Sequence, residues 1–252
     1  LAPTAGSQVD HAVALFNEGR YAESKAVFLD FWKEPVDSER FDHPGIYHEE
    51  TFTDGERTVQ VLLLDTRTFR DDLVLAGENS AYKNDYRPNP DPGATVLGEE
   101  QWRWLDHRLR APADLRIIAS SIQFGHSYNG WESWTNVPHE RQKMIDVIRA
   151  SGASGVLFIS GDVHWGEISR QVVPGSYPLY DVTASGINQE WEKIEPNTRR
   201  VGPAVAQHNF GLVEVDWALD DPRITLRSID ESNAECNRVE LRLSELQAPS
   251  GM

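Results

Sequence analysis

The stretch Ser160-Gly161-Asp162-Val163-His164-Trp165-Gly166-Glu167 follows the apolar run 156–159 and holds the residue types best suited to chemistry. The carboxyl end of a strand is where open α/β sheets place ligands, and Gly161 permits a tight turn that lets Asp162 and His164 face one point. A carboxylate oxygen and an imidazole nitrogen two residues apart form a mixed donor pair for a borderline metal such as iron, zinc or manganese. The same residues also suit a plainer arrangement, with Asp162 capping a turn and His164 as a satisfied, partly buried histidine. Two donors alone do not complete a coordination shell.

Other residues offer weaker chemistry. Asp65 ends the apolar run 59–64 and has Arg67 beside it, which predicts an ion pair or a strand-end cap rather than a metal ligand. His126 and His208 fall in loop sequence and could face a cleft, although a lone loop histidine is normally solvated. Trp131-Glu132-Ser133-Trp134 could stack a sugar with Glu132 as acid or base, but glycoside hydrolysis needs a second carboxylate at fixed separation, so the block reads as packing. Neither a Gly-x-Ser-x-Gly elbow nor a phosphate-binding P-loop appears, which removes the main support for serine hydrolases and nucleotide kinases.

The elements that would carry these residues alternate between strand and helix. Residues 10–32 favour one helix, stopped by Pro35. Residues 45–52 and the β-rich run after Asp54-Gly55 predict a hairpin, and the nearly all-apolar run 59–64 suits a central strand covered on both faces. Residues 71–95, with Asn89-Pro90-Asp91-Pro92-Gly93, read as a long surface loop. A helix opening at Gly98 carries Trp102, Leu105 and Leu109 on one side, and another beginning near Pro138 buries Met144, Ile145 and Ile148. Strands are predicted at 115–119, 156–159, 177–183, 210–215, 224–228 and 239–243. With no repeat or linker, one mixed α/β domain over residues 1–252 is the economical reading.

Composition bounds the partners. In 252 residues, 24 Lys and Arg against 40 Asp and Glu give a net charge of −16, which argues against nucleic acid as a stable partner and against anionic membranes. An apolar fraction of 39% with 10% aromatics supports a packed interior. The single Cys236 excludes an internal disulfide and thiolate zinc frameworks. No apolar run reaches the roughly 20 residues of a membrane helix. Starting at Leu1 rather than Met suggests processing or a fragment.

Leu64-Asp65-Thr66-Arg67, the block from Leu97 through Trp102 to Leu105, Ala119-Ser120-Ser121-Ile122-Gln123, Trp131 to Trp134, Pro138-His139-Glu140-Arg141, the Asp162 stretch, Tyr180 to Gly186 and His208-Asn209-Phe210-Gly211 come in the order found in PhoD-like alkaline phosphatases, which the sequence resembles over most of residues 20–218. That resemblance implies a calcineurin-like metallophosphoesterase fold, a sandwich of two mixed β-sheets flanked by helices, incomplete here at the N-terminus so that the chain is the C-terminal portion of a catalytic domain. It implies hydrolysis of a small-molecule phosphoester, monoester or diester, with iron and calcium as cofactors and zinc or manganese as alternatives, in an extracellular or periplasmic location. By the same resemblance Asp162 and His164 fall on metal-binding positions. An earlier family motif meets this sequence at Gln8 to Gly19, where Asp10 would be a further metal ligand and His11 the group beside the phosphoryl or leaving oxygen, although the flanking Trp, Asp and Asn of that motif are absent. The family's bridging Gly-Asp carboxylate lies upstream of this motif, and no residue among the 252 replaces it. A second expectation follows: a catalytically silent fragment or non-enzymatic remnant of the same fold.

Overall fold

The computed structural model describes residues 5–78 and 80–248. At the start, the helical run divides in two: α1 (Ala5–Asn17) and α2 (Tyr21–Phe31) form a hairpin rather than the single helix expected. Gly19, at φ 74, makes the break, and the N–H groups of Gly19 and Arg20 close on the carbonyls of Phe16 and Leu15. That left-handed residue ends a helix without steric penalty because it has no Cβ.

A six-stranded sheet forms the frame, in the order β1 (His48–Asp54), β2 (Arg57–Leu63), β5 (Leu115–Ala119), β6 (Val156–Ser160), β8 (Leu179–Ala184) and β7 (Gly166–Gln171). The four inner strands run parallel, and β1 and β7 pair antiparallel at the edges. Residues 55–56 turn the β1–β2 hairpin, as the Asp54-Gly55 signal predicts. Helix α3 (Gly98–Leu109) lies in the connection from β2 to β5, and α4 (Pro138–Ser151) joins β5 to β6. Pro138 starts α4, and Gly152 at φ 71 ends it. Between β2 and α3 the long loop is pinned by a short ribbon, β3 (Val74–Leu75) with β4 (Tyr86–Arg87). A second sheet, antiparallel throughout rather than mixed, is built of β11 (Glu235–Arg242), β10 (Arg223–Asp230) and β9 (Asn209–Asp216). Among the described residues no helix is long and apolar enough to cross a membrane.

Register sorts the side chains into two faces. Leu62, Ile118, Phe158 and Asp181 are successive partners across β2, β5, β6 and β8, and all four are buried. This row faces the helices: Phe158 stacks on Phe124 at 4.0 Å, Phe124 meets Trp134 edge to face at 5.8 Å, and Trp134 meets Trp102 of α3 at 6.3 Å. From α4, the Arg141 guanidinium lies 4.8 Å above the Phe124 ring and its Nε–H donates to the Phe124 carbonyl.

The opposite row, Leu63, Ala119, Ile159 and Val182, behaves differently. The second sheet approaches it at the β8 end, where a Cβ on Gly211 would stand 3.1 Å from Ala184 Cβ. Toward β2 the cover stops, leaving a groove of about 490 Å³ lined by Leu63, Ala119, Ile159, Phe210 and Val213. Residues 59–63 therefore alternate between buried and half-buried, and the expectation of a strand covered on both faces is corrected. The three-stranded sheet sits over β7 and β8 and leaves the outer face of β2 partly open.

Phe158→Ala should cost about 3–5 kcal/mol, since it empties the centre of the aromatic stack. Urea titration measures it, and a loss below about 1 kcal/mol would contradict this packing. Burial pushes the Asp181 carboxyl up to about 6, against the N–H donors of Gly125 and Phe124 and the Ser160 hydroxyl. Between 3.8 and about 6 the folded protein keeps a proton that the unfolded chain releases, so this carboxyl lowers stability as pH rises through that window. Asp181→Asn should thus gain stability relative to the parent between pH 4 and pH 7, by on the order of 2–3 kcal/mol across the range. A difference that stays constant with pH would contradict it.

Candidate active site

Strand β6 ends at Ser160, and the chain must cross the end of β8 to enter β7 on its far side. Residues 161–165 make this crossing. The backbone demand falls not on Gly161, where a Cβ would meet Ser185 at an ordinary 3.5 Å, but on Asp162 at φ 80 and His164 at φ 63. Aspartate and histidine are among the residues that tolerate the left-handed region best, at a strain of order 1–3 kcal/mol each. The crossing is tied down by the His164 N–H on Ser185 Oγ (2.9 Å) and by the reciprocal Gly166–Val205 backbone bonds (2.8 Å each).

Asp162 and His164 open onto one cleft of about 300 Å³, lined also by Tyr86, Trp131, Glu132, Val163, Trp165 and Trp191. Sequence reasoning missed its charged partners. Arg67 reaches Asp162 Oδ1 from Nη2 at 3.3 Å and pairs with Glu132 through Nη1; Arg70 holds Glu132 Oε2 at 2.9 Å. Burial first, and the neighbouring Glu132 charge second, raise the Asp162 carboxyl, with Arg67 and His164 opposing. Glu132 goes the other way: against the upward push of burial, the Arg70 hydrogen bond and the charges of Arg67 and Arg70 hold it below the usual carboxylate range. The only signal for this arrangement was the three-residue spacing of Arg67 and Arg70 after a strand end, together with the Trp-flanked Glu132 that read as packing. Trp134 does pack in the core, but Trp131 and Glu132 line the cleft.

Asp65 aims Arg67. Its carboxylate is buried and accepts from the N–H groups of Ile46, Arg67 and Thr68 and from the Thr68 hydroxyl. Of the two expected roles, cap and ion pair with Arg67, it takes the cap, which frees the guanidinium for the cleft. Beneath the site, His126 is fully buried rather than solvated. Its Nδ1 accepts the Tyr128 N–H, its Nε2 stands 3.7 Å from Glu167, and burial pushes it down to about 4, so it stays neutral. Glu167 is held in turn by Gln123 and Arg200.

The structure does not bring Asp10 and His11 to this cleft. Both are exposed on α1, which packs on α2, and neither is among the residues lining the cavity. A different cluster lies elsewhere: one ligand atom each of Glu190, His208 and Glu231 fall within 4.8 Å of one another near the surface, with His208 Nδ1 bonded to the Gly186 carbonyl. Among the described residues it is the one grouping of three metal-ligating side chains, and it does not include Asp162 or His164.

Comparison with known proteins adds to this geometry. The chain is similar to alkaline phosphatase D of Bacillus subtilis (strain 168), 32% identical over 111 residues that make up 40% of this chain and 18% of that protein. A solved structure of PhoD superposes with a TM-score of 0.54 at 20% identity, over 86% of this chain and 49% of its own, which shows the fold. The chain thus spans less than half the length of these relatives. The family model described as PhoD-like phosphatase matches residues 13–192, a stretch that contains Asp162 and His164 and begins after His11. By that match over most of its length, the chain belongs to the PhoD-like phosphatase family.

Proposed function

We propose that this chain is a metal-dependent phosphoester hydrolase, acting outside the cytoplasm, with Asp162 and His164 as the metal ligands it contributes. One observation carries the reading: two left-handed residues separated by Val163, a carboxylate and an imidazole, open onto one cleft in a member of a phosphatase family. The donor chemistry fits a borderline cation such as iron, zinc or manganese. Asp162 is also a carboxylate whose charge is disfavoured by burial and by Glu132, a situation that a bound cation relieves. The fit extends to one cation. Among the described residues, Glu132, the other carboxylate lining the cleft, is taken up by Arg67 and Arg70 rather than free to bridge, and Asp10 and His11, the further ligand and the catalytic residue implied by the family resemblance, lie on α1.

What a cation held there supplies is Lewis acidity, which polarises the phosphate and makes a water acidic enough to act near neutral pH. The remaining work falls to the chain. Arg67, released from Asp162, turns its planar fork to the phosphate oxygens, a geometry for which guanidinium is well suited. Arg70 keeps Glu132 ionised and in place, so that Arg67 stays within reach. In a protein of charge −16, these two guanidinium groups keep the cleft open to an anionic ester.

A specific observation favours the second reading, a catalytically silent remnant: Arg67 already sits against Asp162, and two donors hold a cation less firmly than three or four.

Asp162→Ala and His164→Ala should each lower phosphoester hydrolysis at least 100-fold and reduce bound metal, measured by elemental analysis of the purified chain, with circular dichroism unchanged. Parent-like turnover in both variants would remove this assignment, and a parent chain with neither metal nor turnover would establish the remnant. Arg67→Ala should raise KM for a phosphoester roughly tenfold while leaving metal content intact; unchanged KM would exclude the phosphate contact.

A further inference from the structure

The walls of the cleft are aromatic. Trp131 and Trp191, both half-exposed, meet edge to face with centroids 5.8 Å apart, and Trp191 stands at 65° to the His164 ring with centroids 6.4 Å apart. Their anchors are independent of one another. Trp191 donates its indole N–H to the Lys193 carbonyl at 3.1 Å, the Trp131 N–H bonds Asn129 Oδ1 at 2.8 Å, and the Tyr86 N–H reaches the Gly130 carbonyl at 2.8 Å. The wall is therefore built before any ligand arrives, so little ordering opposes binding.

The indole N–H of Trp131 and that of Trp165 are buried without an acceptor, and Trp165 itself is 0% exposed while lining this cleft. Both nitrogens are closed to solvent, so these donors lie within the wall, and the ring faces of Trp131 and Trp191 are what the cleft presents. The charges in the cleft select among ring-bearing molecules: Arg67 and Arg70 stand at its side, which disfavours a cationic group against the indoles, while an uncharged planar ring stacks on them freely.

Resting on the hydrolase reading above, we infer that the ester accepted here carries a planar aromatic ring, aryl or nucleobase, that lies against Trp131 and Trp191 while its phosphate faces Asp162 and His164. In the reaction, water adds its oxygen to phosphorus, the phosphorus–oxygen bond to the ring-bearing group breaks, and the leaving oxygen takes the proton; no redox partner is needed.

Binding of nonhydrolysable probes separates this inference from the reading beneath it. Isothermal titration of the full chain with Mn²⁺ present, using phenylphosphonate and methylphosphonate, should show the phenyl compound bound about tenfold more tightly. Trp191→Ala should erase that ratio and leave methylphosphonate affinity unchanged, and Trp191→Phe should keep most of it. Comparing adenosine monophosphate with ribose 5-phosphate shows whether a nucleobase serves as the ring: a ratio above that of the phenyl pair favours the nucleobase, a smaller one favours the aryl group, and either supports the wall. Equal affinities for the phenyl and methyl compounds in the parent, or an equal loss of both in Trp191→Ala, would overturn the aromatic subsite alone. Binding of neither phosphonate would overturn the hydrolase reading as well.

Discussion

The crossing from β6 to β7 constrains everything around the cleft. Because β8 lies between these two strands, the chain must bridge two strand spacings, about 10 Å, within residues 161–165. A short connection over the end of a strand leaves little choice of backbone, and two of its residues take left-handed conformations. The side chains in those positions are Asp162 and His164, and the geometry that strains them also turns both into the cleft. Backbone strain of this kind persists only where the surroundings over-determine it. Here the Ser185 hydroxyl, the Gly166–Val205 bonds and the fully buried Trp165 do so.

The electrostatics of the cleft follow from what the neighbouring loops deliver. Asp65 spends its carboxylate on backbone donors and thereby shapes the turn that projects Arg67. Arg67 and Arg70 then meet Glu132 and Asp162, two guanidinium groups with two carboxylates in a small volume. Such a set is near neutral although the protein as a whole is strongly acidic, so an anion is not turned away at the entrance. Below it, Gln123 and Arg200 hydrogen-bond the buried Glu167, and the buried His126 stands 3.7 Å from Glu167 and edge to face with the Trp165 ring.

Much of the frame was legible in the residues. The strands at 115–119 and 156–159, the helices opening at Gly98 and Pro138, and the Asp54-Gly55 turn follow from local periodicity and turn chemistry, which act over a few residues. Where the outcome depended on distant partners, local reasoning failed. Strand β7 was hidden inside the Asp162 stretch, because its residues Gly166 to Gln171 mix polar and apolar types that only the β8 pairing and the second sheet bury. The half-open face of β2 reflects how far the second sheet extends, which no property of residues 59–64 encodes. For the site, Asp162 and His164 stood out because a strand end and a glycine flank them, whereas Arg67, Arg70, Glu132 and Trp191 come together from three separate loops. Asp10 and His11, picked out by a partial motif without its flanking residues, lie on α1, which packs on α2 and does not line this cleft.

The central claim is that Asp162 and His164 grip one cation. X-ray absorption at the manganese edge of the Mn²⁺-loaded chain, compared with that of His164→Gln, tests it most directly. The account predicts an imidazole scattering shell in the parent that disappears in the variant. An identical spectrum in both, or a parent spectrum with oxygen scatterers alone, would contradict it.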